Sequence, residues 1–233
     1  MDTIWQALRQ AFLLVTGGDP QVMEITLLSL RVSGIATLIS LVLGLPFGTW
    51  LAGKDFRGRN LLLGLVNTGM ALPPVVVGLV VSIFLWRSGP FGQLHLIYTP
   101  TAIIIAQVII AAPVVAGLTV SALQQLDPSL RLQLLGLGAS SWQTTRVLWR
   151  EARLPLLAAV MAGFGSVISE VGASMMVGGN ILNYTRVLTT AIVLDTNMGE
   201  FGHALALGII LLVLAYLINL GLTRLQQSGN ELN

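Results

Sequence analysis

Cysteine is absent from the 233-residue chain, and charge is scarce: ten acidic and twelve basic residues, together 9% of positions. The first absence excludes disulfides, thiolate nucleophiles and thiolate metal sites. The second excludes an ordinary soluble domain, which carries about a quarter charged residues. A formal charge of +2, scattered along the chain, is too small to mark a nucleic-acid partner. The two histidines, His95 and His203, are far apart, and no HExxH or Cys/His cluster offers a metal site. No GxxxxGK[ST] phosphate loop occurs, and Gly178-Gly179 follows no strand, so it reads as a turn. The apolar run Ala11–Thr16 is too short for a signal-peptide core, and no small-residue cleavage site follows it.

What is present is apolar residue: 55% of the chain, with a mean hydropathy of +0.84. This composition indicates an all-helical integral membrane protein. Spanning about 30 Å of hydrocarbon takes roughly 20 apolar residues. Five segments qualify: Val32–Ala52, Leu61–Trp86, Thr101–Leu123, Leu154–Val177 and His203–Thr223. Ahead of them Ile4–Val15 is amphipathic and is expected to lie along the membrane interface, ended by Gly17-Gly18-Asp19-Pro20.

Lys54, Arg57, Arg59, Arg131, Arg146, Arg150, Arg153 and Arg224 fall on one side of these spans. Arg9, Arg31, Arg87 and Arg186 fall on the other. Positive loops stay cytoplasmic, which places the N-terminus outside and the C-terminus inside.

The spans are not plain anchors. The second contains Pro73-Pro74 near its middle, and the third Ala111-Ala112-Pro113; either a gating kink or a structural bend accounts for the proline pair. Gly44 and Gly48 stand at GxxxG spacing, and Gly163, Gly165 and Gly172 follow in span four, as packing residues or as channel lining. Asn67, Thr68, Gln107, Ser166, Ser169 and Glu170 place polar groups inside the spans. Glu170 is the sharpest, because an ionisable group there costs about 2.5–3.5 kcal/mol on insertion scales. It either lines a pathway or pairs with Arg31 or Arg186 to lock the bundle. The pathway and gate candidates are Thr68, Pro73, Pro74, Gln107, Ser166, Ser169, Glu170 and Gly172.

Leu130–Leu157 is a polar island between apolar runs, carrying Arg131, Arg146, Arg150, Glu151 and Arg153. Asp127-Pro128-Ser129 opens a helix that stops at Gly138. Ser140 with Gln143 forms a capping box for a second helix, Ser141–Arg150. A short helix held outside the membrane suits a groove on a partner, or else is an interfacial helix anchored by Trp142 and Trp149.

The Gly138-Ala139-Ser140 turn, followed by Leu154-Pro155, resembles the cytoplasmic "EAA" loop of type I ABC importer permeases. Leu132-Gln133-Leu134 stands where that family has Glu-Ala-Ala, and Pro155 lies about one helical turn further from the glycine. Leu72–Gly78, Ala106–Thr119 and Ile168–Ile181 are similar to tungstate/molybdate-type permeases, as are Tyr184-Thr185-Arg186, Thr189–Ile192 and Glu200-Phe201-Gly202.

The resemblance implies a homodimeric permease of a prokaryotic inner membrane. Two cytoplasmic ATP-binding subunits would bind ATP and Mg, and this chain would hold no cofactor and catalyse nothing. An extracytoplasmic binding protein would deliver the cargo, with tungstate ahead of molybdate. Gly138, Ala139, Ser140, Ser141, Trp142, Gln143, Thr144 and Thr145 would meet the ATPase. The implied division is 1–23 for the interfacial helix and turn, 24–224 for the transmembrane domain with its coupling loop at 127–153, and 225–233 for a tail. An ATP-independent anion channel or secondary transporter, and a permease for another anion such as sulfate, are the alternatives. A membrane-embedded enzyme would need clustered His, Asp or Cys in the spans, and only Glu170 is there.

Overall fold

The computed structural model describes residues 2–228, apart from some side chains near either end, Ile4 and Val15 among them. The described residues form eleven α-helices and one 3-10 turn, without a strand. The chain begins with α1 (Asp2–Thr16), which packs along the last helix, α11 (Phe201–Ser228). Leu14 reaches the cluster around Leu207 and Ile210, while Trp5, Leu8 and Phe12 stay exposed.

Asp19 starts α2 (Pro20–Gly53) by accepting from the Gln21 and Val22 amides at 3.0 Å, with Pro20 in the first turn. At 34 residues this helix is about 51 Å long, well beyond the hydrocarbon thickness. It begins about three turns before Val32, where the sequence pattern places the start of span one. Glu24 and Arg31 mislead the hydropathy pattern. Both are exposed on one face, while Val22, Ile25, Ser29 and Val32 are buried on the other.

The bundle is organised on the α2–α5 pair. Thr99 caps α5 (Pro100–Gln124), whose many small residues let neighbours approach from several sides. Gly44 faces Val115 and Ala112, and Gly48 faces Ala116 and Thr119. A Cβ on Gly48 would stand 2.6 Å from the Ala116 carbonyl oxygen, so these glycines are packing residues. Around α5 also lie α3, α4, α8 and α9.

The second span is two helices. α3 (Arg59–Met70) and α4 (Pro74–Leu85) meet at 100°, and each is only about 18 Å long. The proline pair starts a new helix instead of kinking an old one. Pro74 occupies the first turn of α4, where its missing N–H is harmless, and Pro73 before it is extended.

Beyond α5, α6 (Pro128–Gly136) and α7 (Ser141–Glu151) form the polar loop, and α7 meets α8 (Arg153–Ile168) at 77°. The expected continuous span Leu154–Val177 is also broken. After α8 the chain leaves the helix at Ser169–Val171 and resumes as α9 (Gly172–Gly178). A further helix, α10 (Leu188–Asn197), packs beside α2 and α11 and had no counterpart among the spans read from the sequence. Among the described residues three helices are long and apolar enough to cross a membrane, or up to five if each bent pair counts as one span.

Gly48→Ala is expected to cost about 1–3 kcal/mol, because a backbone oxygen cannot step aside for the methyl group. Gly34→Ala, where nothing lies within 4 Å, is the control and should leave stability unchanged or higher. Thermal unfolding of the two detergent-purified variants compares them directly.

Candidate functional site

The two breaks in the spans face each other. A Cβ on Gly172, at the start of α9, would stand 2.7 Å from Val75 Cγ2 at the start of α4. A Cβ on Gly78 would come equally close to the Ala173 Cα. Only glycines at both positions allow α4 and α9 to approach this closely. Of the pathway candidates, Pro73, Pro74, Glu170 and Gly172 therefore belong to one junction.

Glu170 is 6% exposed, and neither Arg31 nor Arg186 is its partner. Its Oε1 accepts from the Ala173 amide at 3.0 Å, and its Oε2 from the Ser174 amide at 3.0 Å and the Ser174 hydroxyl at 3.2 Å. The acidic side chain thus occupies the positive N-terminal end of α9. In place of the ion pair, one of the two readings of the sequence, stands a helix cap, which satisfies a carboxyl in an apolar setting without a cation. The N-terminal end of α9 is thereby already occupied by an acceptor.

The Val167 and Glu170 carbonyls at the break are satisfied as well. Gln107 is 2% exposed and donates Nε2–H to the Val167 carbonyl at 3.2 Å, tying α5 to the end of α8. It borders a void of about 10 Å³ with Ser33 and Thr189, the size of one water. Thr189, from α10, donates its hydroxyl to the Glu170 carbonyl at 2.8 Å. The composition of α10 held no sign that this residue would serve the break. Thr68, Ser166 and Ser169 instead bond back to their own helices, at Gly64, Gly163 and Gly165. Thr68 and Ser169 are exposed and Ser166 half-buried.

The polar loop is built by local chemistry. Gly138, at φ 81°, closes α6: its N–H reaches the Leu135 carbonyl and that of Ala139 the Leu134 carbonyl, both at 3.0 Å. This is the two-bond glycine termination that needs a left-handed residue. The Ser140 hydroxyl accepts from the Gln143 amide at 3.3 Å, and the Gln143 side chain accepts from the Ser140 amide at 2.8 Å. Asp127 caps α6 by accepting from the Ser129 amide, which holds its carboxyl below the usual carboxylate range.

The loop is fastened to the body at several points. Trp149 Nε1–H donates to Thr49 Oγ1 at 2.8 Å, and Arg131 donates to the Gly53 carbonyl. Arg59 Nε–H reaches the Leu51 carbonyl at 3.0 Å, so two arginines close the C-terminal end of α2. Thr144 is buried on the inner face of α7, whereas Ser141, Trp142 and Gln143 are exposed. Trp142, 67% exposed, leans edge-on against Trp149 at 6.3 Å. The loop therefore presents a rigid, aromatic-bearing outer face.

Glu170→Ala would leave the Ala173 and Ser174 amides buried without an acceptor, and is expected to lower stability by more than about 2 kcal/mol. A residue that only lined a pathway would lose transport at unchanged stability. Thermal unfolding of the purified variant distinguishes the two.

Residues 44–228 match the family described as "Binding-protein-dependent transport system inner membrane component". The chain is 40% identical over 227 residues to the tungstate uptake system permease protein TupB of Peptoclostridium acidaminophilum, covering 97% of this chain and 100% of that one. It is 31% identical to the TupB of Campylobacter jejuni, over 94% of this chain and 92% of the other. With the molybdenum transport system permease protein ModB of Escherichia coli K12 it shares 28% identity, over 90% and 96%. Among solved structures, the bacterial alginate ABC transporter has a chain of the same fold, with a TM-score of 0.80 at 19% identity, covering 98% of this chain and 87% of that one. The MetNI methionine ABC transporter in inward-facing conformations has another, with a TM-score of 0.72 at 22% identity over 95% and 98%. With its broken spans and its capped two-helix loop, the chain belongs to the binding-protein-dependent transport system inner membrane component family.

Proposed function

We propose that this chain is the transmembrane permease subunit of an ATP-driven ABC importer for an oxyanion, with tungstate as cargo and molybdate as the near alternative. The observation that carries the importer reading is the polar loop: a doubly capped helix, α7, fastened to α2 and presenting Ser141, Trp142 and Gln143 outward. The cargo follows from relatives named for tungstate and molybdenum uptake that align with nearly the whole chain.

In this reading two copies of the chain enclose the pathway. Two cytoplasmic subunits bind ATP and Mg and hydrolyse the nucleotide, and the face Gly138–Thr145 meets them. An extracytoplasmic binding protein delivers the oxyanion at the opposite end. The N-terminus lies outside and the C-terminus in the cytoplasm of a prokaryotic cell.

The coupling route is short. α7 is joined to α8 through Ala152, whose N–H bonds to the Leu148 carbonyl and whose carbonyl accepts from the Leu156 amide, both at 2.9 Å. A displacement of α7 by the ATPase moves α8, and with it the break at Ser169–Val171 and the α4–α9 junction. Glu170 occupies the α9 N-terminus, so the pathway holds an oxyanion only weakly, through groups such as Thr68, Ser166 and Ser169. Selection of the cargo then belongs to the binding protein.

Trp142→Ala is expected to weaken the complex with the ATP-binding subunit by about 2 kcal/mol, roughly thirty-fold, as loss of an exposed aromatic anchor does. Gly138→Pro, which forbids the positive φ, should abolish co-purification. A wild-type chain that binds no ATPase yet passes tungstate in liposomes would overturn the importer reading. The absence of native cysteine simplifies the orientation test. Leu182→Cys should react with an impermeant maleimide in intact cells, and Gln143→Cys only after permeabilisation.

A further inference from the structure

A cavity at the polar end of the bundle shares no lining residue with the α4–α9 junction. It is a cleft of about 720 Å³ between the end of α2, the ends of α5 and α6, and α7, where Ser141 and Trp142 of the docking face border it as well as Thr144 of the inner face. Its wall includes Trp50 and Trp149, and its charged lining includes Lys54, Arg59 and Arg131. Two acids also line it, but neither neutralises the cations well. Asp127 spends its carboxyl on the α6 cap, and Asp55 is fully exposed, 3.8 Å from Arg59. Lys54 is exposed and forms no ion pair among the described residues. Thr144, only 4% exposed, lines the same cavity with its Oγ1 lacking a hydrogen-bond partner.

The position of the cavity names the chemistry. The last two turns of the apolar helix α2 form its wall, so it lies at the level where hydrocarbon gives way to head groups. Indoles and cations are the groups that favour that level, and basic pockets between membrane helices take anionic head groups. Leu43, Phe47 and Trp50 form an exposed stripe along α2 at helical spacing, leading from the cavity into the hydrocarbon. A free inorganic anion has no use for such a track, whereas acyl chains do.

We propose that this cavity binds the head group of one anionic phospholipid per chain, with its acyl chains laid along the α2 stripe. The lipid would bridge Lys54 and Arg59 to the α6–α7 loop and so steady the docking face. Its assignment to the cytoplasmic leaflet rests on the orientation proposed above, which the cysteine labelling tests separately.

Native mass spectrometry of the full-length chain, alone and with its ATP-binding subunit, tests the site with dioleoylphosphatidylglycerol and dioleoylphosphatidylcholine. One phosphatidylglycerol per chain should be retained at least five-fold more tightly than phosphatidylcholine, with or without the ATPase. Lys54→Glu should weaken retention at least five-fold and Lys54→Arg restore it, while Arg57→Glu, exposed but outside the cavity lining, should change nothing. Equal retention of the two lipids, or an unaffected Lys54→Glu variant, would overturn the proposal. Displacement by millimolar inorganic phosphate would also overturn it, in favour of a free-anion site. Loss of the lipid on ATPase binding would assign the cavity to the protein partner instead. The titration of the chain alone requires no ATPase, so it remains informative if the importer reading fails.

Discussion

Hydrocarbon offers no hydrogen bonds, so a helix can break inside a membrane only where other protein groups complete its backbone. That constraint governs the junction at Ser169–Val171. Glu170 supplies acceptors to the Ala173 and Ser174 amides, Gln107 donates to the Val167 carbonyl and Thr189 to the Glu170 carbonyl. These side chains come from the break itself, from α5 and from α10, so the break joins elements distant in sequence. α9, at seven residues, is too short to persist alone. Its cap and its close packing against α4 hold it in place.

The same logic explains why the two breaks lie together. A bent segment exposes backbone that must be covered, and two bent segments can cover each other when small residues let them touch. Gly78 and Gly172 provide that contact between α4 and α9. The long pair α2–α5 is uninterrupted in comparison and is packed through Gly44 and Gly48. A continuous frame thus carries a jointed interior, and the capped loop attaches to both: to α2 through Trp149 and Arg131, and to α8 through Ala152.

The loop was legible in the sequence almost residue by residue. Asp127, Gly138, Ser140 and Gln143 act on groups within five positions of themselves, so their spacing alone states the turn, the caps and the helix they bound. The spans were legible as apolar segments but not as shapes. A hydropathy average runs through Ala71–Pro73 and Ser169–Val171 without registering that the chain turns there. It also stops short at Arg31, because it cannot know that one face of α2 is buried while the other is open. Glu170 stands out in the sequence as the one ionisable group in span four, but the sequence offers only a pathway or an arginine to account for it. A helix end carries no charge in the sequence, and α9 exists as a separate helix only in the fold.

Composition and local spacing by themselves determined that this is an all-helical membrane chain with a structured polar loop between spans. Those properties depend on the transfer of side chains from water and on hydrogen bonds within one or two turns. Tertiary structure decided where the spans break, which polar groups complete them, and that Gln107 is a buried tie while Thr68 remains open. Those outcomes depend on contacts between residues tens of positions apart, such as Gln107 with Val167 and Thr49 with Trp149. Such partners are brought together only when helices pack, and no periodicity along the chain encodes which helix that will be.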